Sequence, residues 1–172
     1  TALDANRAKA QVSIKTGKDI SKIKNMIIWG NHSPTMYPDL DNAYADGEIA
    51  STIINDESWI KEDFLEIVQQ RGKAIIDARG ASSAASAANG AIDTVKQASN
   101  PTEEGNCFSA GVLSDGSYEV PKGLIFGYPL KTTNEGKIEI IQGLELNNYA
   151  KEKLNITISE LLEEKEAVKD LI

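Results

Sequence analysis

The apolar positions divide the chain into stretches of helical, strand and turn texture. From Leu3 to Ile14, the residues Leu3, Ala8, Ala10, Val12 and Ile14 follow helical spacing loosely. Ala, Arg, Lys and Gln favour a helix there, and Gly17 supplies a stop. The run Asn25-Met26-Ile27-Ile28-Trp29-Gly30 is short, apolar and ended by glycine, which predicts a buried strand feeding the loop Asn31-His32-Ser33-Pro34. Between Pro38 and Asn55 the pair Asp46-Gly47 predicts a hairpin joining two modest surface strands. From Ser58 to Ala78, Trp59, Ile60, Phe64, Ile67, Val68, Ala74, Ile75 and Ala78 carry a helical period, so one long helix is expected, with Gly72 as its weak point.

The stretch from Gly80 to Gly90 consists almost entirely of small residues, after which helix resumes toward Val95. So little side-chain bulk lets another backbone, subunit or ligand come close. Beyond Pro101 the texture changes to strands: Cys107 to Leu113, a turn at Ser114-Asp115-Gly116-Ser117, Gly123 to Tyr128, and Lys137 to Ile141. An antiparallel sheet follows from that order. From Asn147 to Val168 the apolar set Tyr149, Leu154, Ile158, Leu161, Leu162 and Val168 lies among many Glu and Lys. This predicts a long amphipathic helix whose charge run is a solvated face. No internal repeat or low-complexity linker interrupts the pattern.

Composition narrows the classes. With 172 residues, 41% hydrophobic and 26% charged, the chain has the make-up of one ordinary globular domain. Its longest apolar runs fall far short of the roughly 20 residues that cross a bilayer. The opening Thr1-Ala2-Leu3-Asp4 has neither an initiator Met nor a signal-peptide pattern, so a preceding segment is expected. A net charge of −8 opposes the electrostatic attraction on which nucleic-acid binding depends. Cys107 is the only cysteine and His32 the only histidine, which removes disulfide frameworks and Cys/His zinc sites; Cys107 reads as a small buried hydrophobe, compatible with a reducing compartment.

Candidate chemistry centres on His32, Asp4 and Arg7. Asp4 and Arg7 are three apart on a predicted helix and so share one face. Taken singly, each has a bland reading: a structural histidine after a strand, and a solvated helix face. Taken together they suit reversible hydride transfer on a small 2-hydroxy acid. A neutral imidazole accepts the hydroxyl proton, a carboxylate on its far nitrogen fixes the tautomer, and a guanidinium holds the substrate carboxylate by paired hydrogen bonds. Two other readings are weaker. A hydrolase triad from Ser82, Ser83 and His32 lacks the second glycine and preceding strand of a nucleophile elbow. The carboxylate pairs Asp39/Asp41 and Glu163/Glu164 sit in turn-like or solvated helical contexts.

The combination Leu3-Asp4-Ala5-Asn6-Arg7-Ala8, Ile28-Trp29-Gly30-Asn31-His32-Ser33, Gln69-Gln70-Arg71-Gly72 and Gly80-Ala81-Ser82-Ser83-Ala84 resembles the malate dehydrogenases. The likeness continues through Ser114-Asp115-Gly116-Ser117-Tyr118, Val120-Pro121-Lys122-Gly123 and Ile141-Gln142-Gly143-Leu144-Glu145, so it covers essentially the whole chain. Within the lactate and malate dehydrogenase superfamily, the Trp-Gly-Asn-His-Ser form around His32 is similar to the cytosolic and chloroplast malate branch. The resemblance implies His32 as catalytic acid/base, Asp4 as its partner, Arg7 as substrate-carboxylate ligand and Ser82 as a pocket-lining residue or helix N-cap. It implies malate and oxaloacetate as substrates, NAD rather than NADP, a homodimer and a cytoplasmic setting. It also implies an α+β C-terminal domain, antiparallel strands packed with long helices, occupying residues 1–172. The family's dinucleotide-binding half carries a Gly-x-Gly-x-x-Gly loop, and no such motif occurs here. The chain alone is therefore expected to be inactive. Two function classes stay open: the catalytic half of an oxidoreductase, or a non-enzymatic dimerisation module.

Overall fold

A computed structural model describes residues 1–171. Helix α1 (Ala2–Thr16) ends on Gly17 and leads through a 3-10 turn to strands β1 (Ile23–Lys24), β2 (Ile27–Trp29) and β3 (Tyr37–Asp39). Strands β4 (Tyr44–Ala45) and β5 (Glu48–Ile49) precede the short helix α2 (Ala50–Ile54). Helices α3 (Leu65–Arg79) and α4 (Ala84–Ser99) follow, then β6 (Phe108–Leu113), β7 (Ile125–Thr132), β8 (Ile138–Ile140) and α5 (Asn148–Ala167).

Among the described residues all the strand pairs are antiparallel, in three small sheets ordered β1-β4-β5, β2-β3 and β6-β7-β8. The architecture is therefore the expected α+β one. The predicted hairpin is β4-β5, with Ala45 opposite Glu48 and only Asp46 and Gly47 between them, the shortest turn that the strands' twist accommodates. Strand β7 runs four residues past the predicted Tyr128, through Pro129. Proline has no N–H to donate, yet it costs little here. On that edge of β7, Gly127 bonds Gly30 and the Pro129 carbonyl already receives Ile141 N–H as β8 takes over.

Strand β2 organises the interior. Its alternate residues point to opposite faces, and both faces are covered, which is why it reads as an unbroken apolar run. Ile28 enters a core with Ala8, Val12, Met26, Met36, Phe64 and Val68 under α1 and α3. Ile27 and Trp29 enter a second core with Phe126, Tyr128, Leu130 and Leu154 under α5. Trp29, Phe126 and Tyr128 are fully buried, and burial of such side chains stabilises by about 1.5–3 kcal/mol each.

Two glycines join β2 to β7. Gly30 and Gly127 exchange backbone hydrogen bonds at 2.9 and 3.2 Å. A Cβ on Gly127 would lie 2.7 Å from the Ile28 carbonyl oxygen, and one on Gly30 would lie 2.3 Å from Thr157 Cγ2, with φ at +91° besides. Neither position tolerates a side chain.

The long helix predicted over Ser58–Ala78 is continuous through Gly72; its irregularity lies earlier, in a π-helical turn over Trp59–Phe64. Gly72 instead faces Arg7, whose Nη1 lies 3.8 Å from where a Cβ would sit. Only residues 80–83 of the small-residue stretch form the break between α3 and α4; the rest, from Ala84 to Gly90, makes up the first turns of α4, where a Cβ on Gly90 would lie 3.1 Å from the Leu3 backbone nitrogen. Among the described residues no helix is long and apolar enough to cross a membrane.

Candidate active site

Asp4 lies in the first turn of α1, where a carboxylate suits the positive end of the helix dipole, and on the buried face that also carries Ala5, Ala8 and Val12. Its side chain has no exposed surface, so its charge requires partners. Two are in place. Oδ2 lies 2.7 Å from His32 Nδ1, and Oδ1 accepts a hydrogen bond from Arg7 Nη1 at 3.2 Å. A carboxylate only accepts, so the first contact calls for the imidazole proton on Nδ1. The His32 side chain is 63% exposed, and its ring stands open on the side away from Asp4. The structure thus brings together the three residues that the sequence singles out.

His32 follows β2 by three residues, and its loop is tied down at several points. Asn31 N–H donates to Thr157 Oγ1 at 2.8 Å, and Asn31 Nδ2 donates to Glu160 Oε2 at 3.1 Å and Glu164 Oε1 at 2.9 Å. The hydroxyls of Ser33 and Thr35 donate to the same Glu160 oxygen. Burial raises the Glu160 carboxyl, but the hydrogen bonds from Ser33, Thr35 and Asn31 outweigh it and hold it below the usual glutamate range. The charge run of α5 is thus not wholly the solvated face that its pattern predicts, since Glu160 and Glu164 hold the histidine loop. Thr157, Glu160 and Glu164 are spaced three and four apart, one stripe of a helix, and that spacing was the available signal.

Arg7 lines a cleft of about 440 Å³ between α1, α3 and α4, together with Leu3, Asn6, Arg71, Ser86 and Asn89. Asp93 braces its wall by accepting from Asn6 Nδ2 at 2.8 Å and Asn89 Nδ2 at 2.9 Å. Ser82 is exposed at the break between α3 and α4, where its carbonyl accepts from Arg79 Nη1 at 3.2 Å; it is not among the residues lining the Arg7 cleft. The N-cap position of α4 belongs to Ser83, whose hydroxyl pairs with that of Ser86 at 2.6 Å rather than capping the helix. A larger cavity of about 640 Å³ lies elsewhere, lined by Asn25, Cys107, Lys131, Glu139 and Gln142 among others. Cys107 is half-buried rather than buried, and burial pushes its thiol up to about 12, so it stays protonated at neutral pH.

With this geometry in view, comparison with known proteins is decisive for the family. The model of the lactate/malate dehydrogenase alpha/beta C-terminal domain matches residues 1–172. The chain belongs to the lactate/malate dehydrogenase family. It is 48% identical over 171 residues to a malate dehydrogenase of Cutibacterium acnes, covering 99% of this chain and 52% of that protein. The crystal structure of malate dehydrogenase from Naegleria fowleri superposes with a TM-score of 0.92 at 41% identity, over 100% of this chain and 52% of its own. Trichomonas vaginalis lactate dehydrogenase, in complex with NADH and oxamate, gives 0.91 at 31%, over 99% of this chain and 53% of its own. This dehydrogenase-family chain spans about half the length of the relatives it matches. None of these matches favours the reading as a non-enzymatic dimerisation module.

The Trichomonas vaginalis relative holds NADH, and the described residues lack the usual grip for such a dinucleotide. Their sheets are antiparallel, and the chain carries no Gly-x-Gly-x-x-Gly turn between a strand and a helix to receive a pyrophosphate.

Proposed function

We propose that this chain is the substrate-binding and proton-transfer domain of an NAD-dependent malate dehydrogenase, with its dinucleotide held by residues outside it. The observation that carries the reading is the single buried carboxylate of Asp4 bonded at one oxygen to His32 and at the other to Arg7. With Nδ1 engaged, Nε2 is the nitrogen that meets substrate. The dinucleotide, when bound, would supply the acceptor for the hydride lost from the alcohol carbon of malate; the hydroxyl proton passes to Nε2, and Asp4 stabilises the imidazolium that forms. In the reverse direction Nε2 returns the proton to the carbonyl oxygen of oxaloacetate. Arg7 spends one of its five N–H donors on Asp4, which leaves an edge of the guanidinium for two parallel bonds to a substrate carboxylate. Ser82 is assigned to the substrate pocket by motif alone.

Malate and oxaloacetate are the preferred substrates because the relatives at 48% and 41% identity are malate dehydrogenases, while the lactate dehydrogenase stands at 31%. A cytoplasmic homodimer is the setting that accompanies this assignment. In the whole enzyme carrying this chain, His32→Asn is expected to lower kcat for oxaloacetate reduction by about 10²–10⁴-fold. NADH binding, followed by fluorescence titration, should stay close to wild type. Near-normal turnover in that variant removes His32 from the mechanism. The same assay on residues 1–172 alone should give no turnover, because the sequence carries no Gly-x-Gly-x-x-Gly loop to grip a pyrophosphate.

A further inference from the structure

We propose that Glu160, on α5, is a positioning residue for His32: with Thr157 it fixes the 30–35 loop so that the imidazole stays seated on Asp4. The inference rests on the reading of His32 as the proton-transfer group, and it names a part of the machinery that lies on a different element, more than 120 residues further along the chain.

The argument is one of convergence. Among the described residues His32 has one side-chain anchor, the bond from Nδ1 to Asp4. Its backbone is held by its neighbours instead. Asn31 before it, and Ser33 and Thr35 after it, all donate to Oε2 of Glu160, so a single oxygen gathers both sides of the histidine. Hydrogen bonds to an ionised carboxylate are roughly twice as strong as neutral ones. Thr157 Oγ1 takes the Asn31 backbone N–H one turn earlier on α5, and Gly30 has no room to retreat from Thr157. Asp4 therefore sets the rotation of the ring, while α5 sets where the ring is hinged. Displacing such a group by about 1 Å costs on the order of 10²-fold in rate even when no reacting atom is touched.

His32 is the only histidine, so its ring nitrogens can be followed without ambiguity in the ¹⁵N-labelled 172-residue chain at neutral pH. In the wild type the chemical shifts should report the proton on Nδ1. In Glu160→Ala the proton should redistribute toward Nε2, and in Glu160→Gln, which keeps one carbonyl acceptor, the change should be partly reversed. Ser33→Ala combined with Thr35→Val removes two of the three bonds to Glu160 from the loop side, leaving that of Asn31, and should reproduce the shift in part with α5 intact. In the whole enzyme, Glu160→Ala should lower kcat by about 10–10²-fold while KM for oxaloacetate changes little, since Arg7 is untouched. Wild-type ring shifts and wild-type kcat in a folded Glu160→Ala overturn the proposal. If that variant does not fold, unchanged ring shifts in the double variant overturn it. The ring shifts are read without turnover, so an active His32→Asn enzyme would defeat the functional reading while leaving the seating of the ring to be judged by its own signal.

Discussion

Two carboxylates without exposed surface lie on either side of β2, and they are built differently. Asp39, in β3, is held by neutral donors alone: Trp29 Nε1 at 3.0 Å and Asn42 Nδ2 at 2.9 Å on one oxygen, the backbone N–H groups of Asp41 and Asn42 on the other. Burial raises its carboxyl above the usual aspartate range in spite of those bonds. Asp4 is held by a permanent cation and by a titratable ring. Neutral donors satisfy a buried oxygen and lock a turn, but they leave nothing that changes charge during a reaction. The lesson is that burial of an acid does not mark function; the kind of partner does.

The sharpest way to break this contrast is to neutralise each acid in turn. Asp4→Asn should lower kcat by about 10³–10⁴-fold in the whole enzyme while the circular-dichroism spectrum is unchanged, because an amide cannot stabilise the imidazolium. Full activity would reduce Asp4 to a second Asp39. Asp39→Asn should act on stability instead. Its new NH₂ faces the Trp29 and Asn42 donors or the two backbone N–H groups, for a loss of about 2–3 kcal/mol in urea unfolding, with kcat per folded molecule within a few-fold of wild type. An unfolding midpoint equal to wild type would show that the turn does not depend on this carboxylate.

The smallest effect is a difference of slope with pH. The folded-state carboxyl of Asp39 is raised, so its contribution to stability is complete below the ordinary aspartate value of 3.8 and is lost as pH rises through the higher folded value. Glu160 is depressed, so its contribution is present above the ordinary 4.5 and is lost as pH falls through the lower folded value. Unfolding midpoints measured from about pH 3 to about pH 6 should therefore fall less on acidification in Glu160→Gln, and less on alkalinisation in Asp39→Asn, than in wild type. Curves parallel to wild type in both variants would contradict the assigned directions.

Much of the fold was legible because local pattern and tertiary demand agree. The apolar run of β2 and the Asp46-Gly47 turn each announce themselves within a few residues. The Asp4 and Arg7 pair was legible for the same reason, being three apart on one helix. What escaped depends on contacts distant in sequence. Strand β3 is three residues with a proline in the middle, and it exists because β2 needs a partner. The π-helical turn at Trp59–Phe64 leaves no mark on periodicity, while Gly72 looked like a break and is instead a space facing Arg7. Glu160 was read as one charge among many on α5, since only the loop at the other end of the chain distinguishes it.

The glycine joint between β2 and β7 has a kinematic consequence. Gly30 and Gly127 press backbone on backbone, with Thr157 closing the third side, so the start of the histidine loop has no slack along the strand or away from it. The loop is exposed, yet its root is among the most confined points of the chain. A displacement of the loop is therefore expected to turn about that root rather than to shift it. Helix α3 touches the far end of the same loop, where Gln69 Nε2 donates to the Met36 carbonyl at 2.8 Å, so the loop is held at both of its ends.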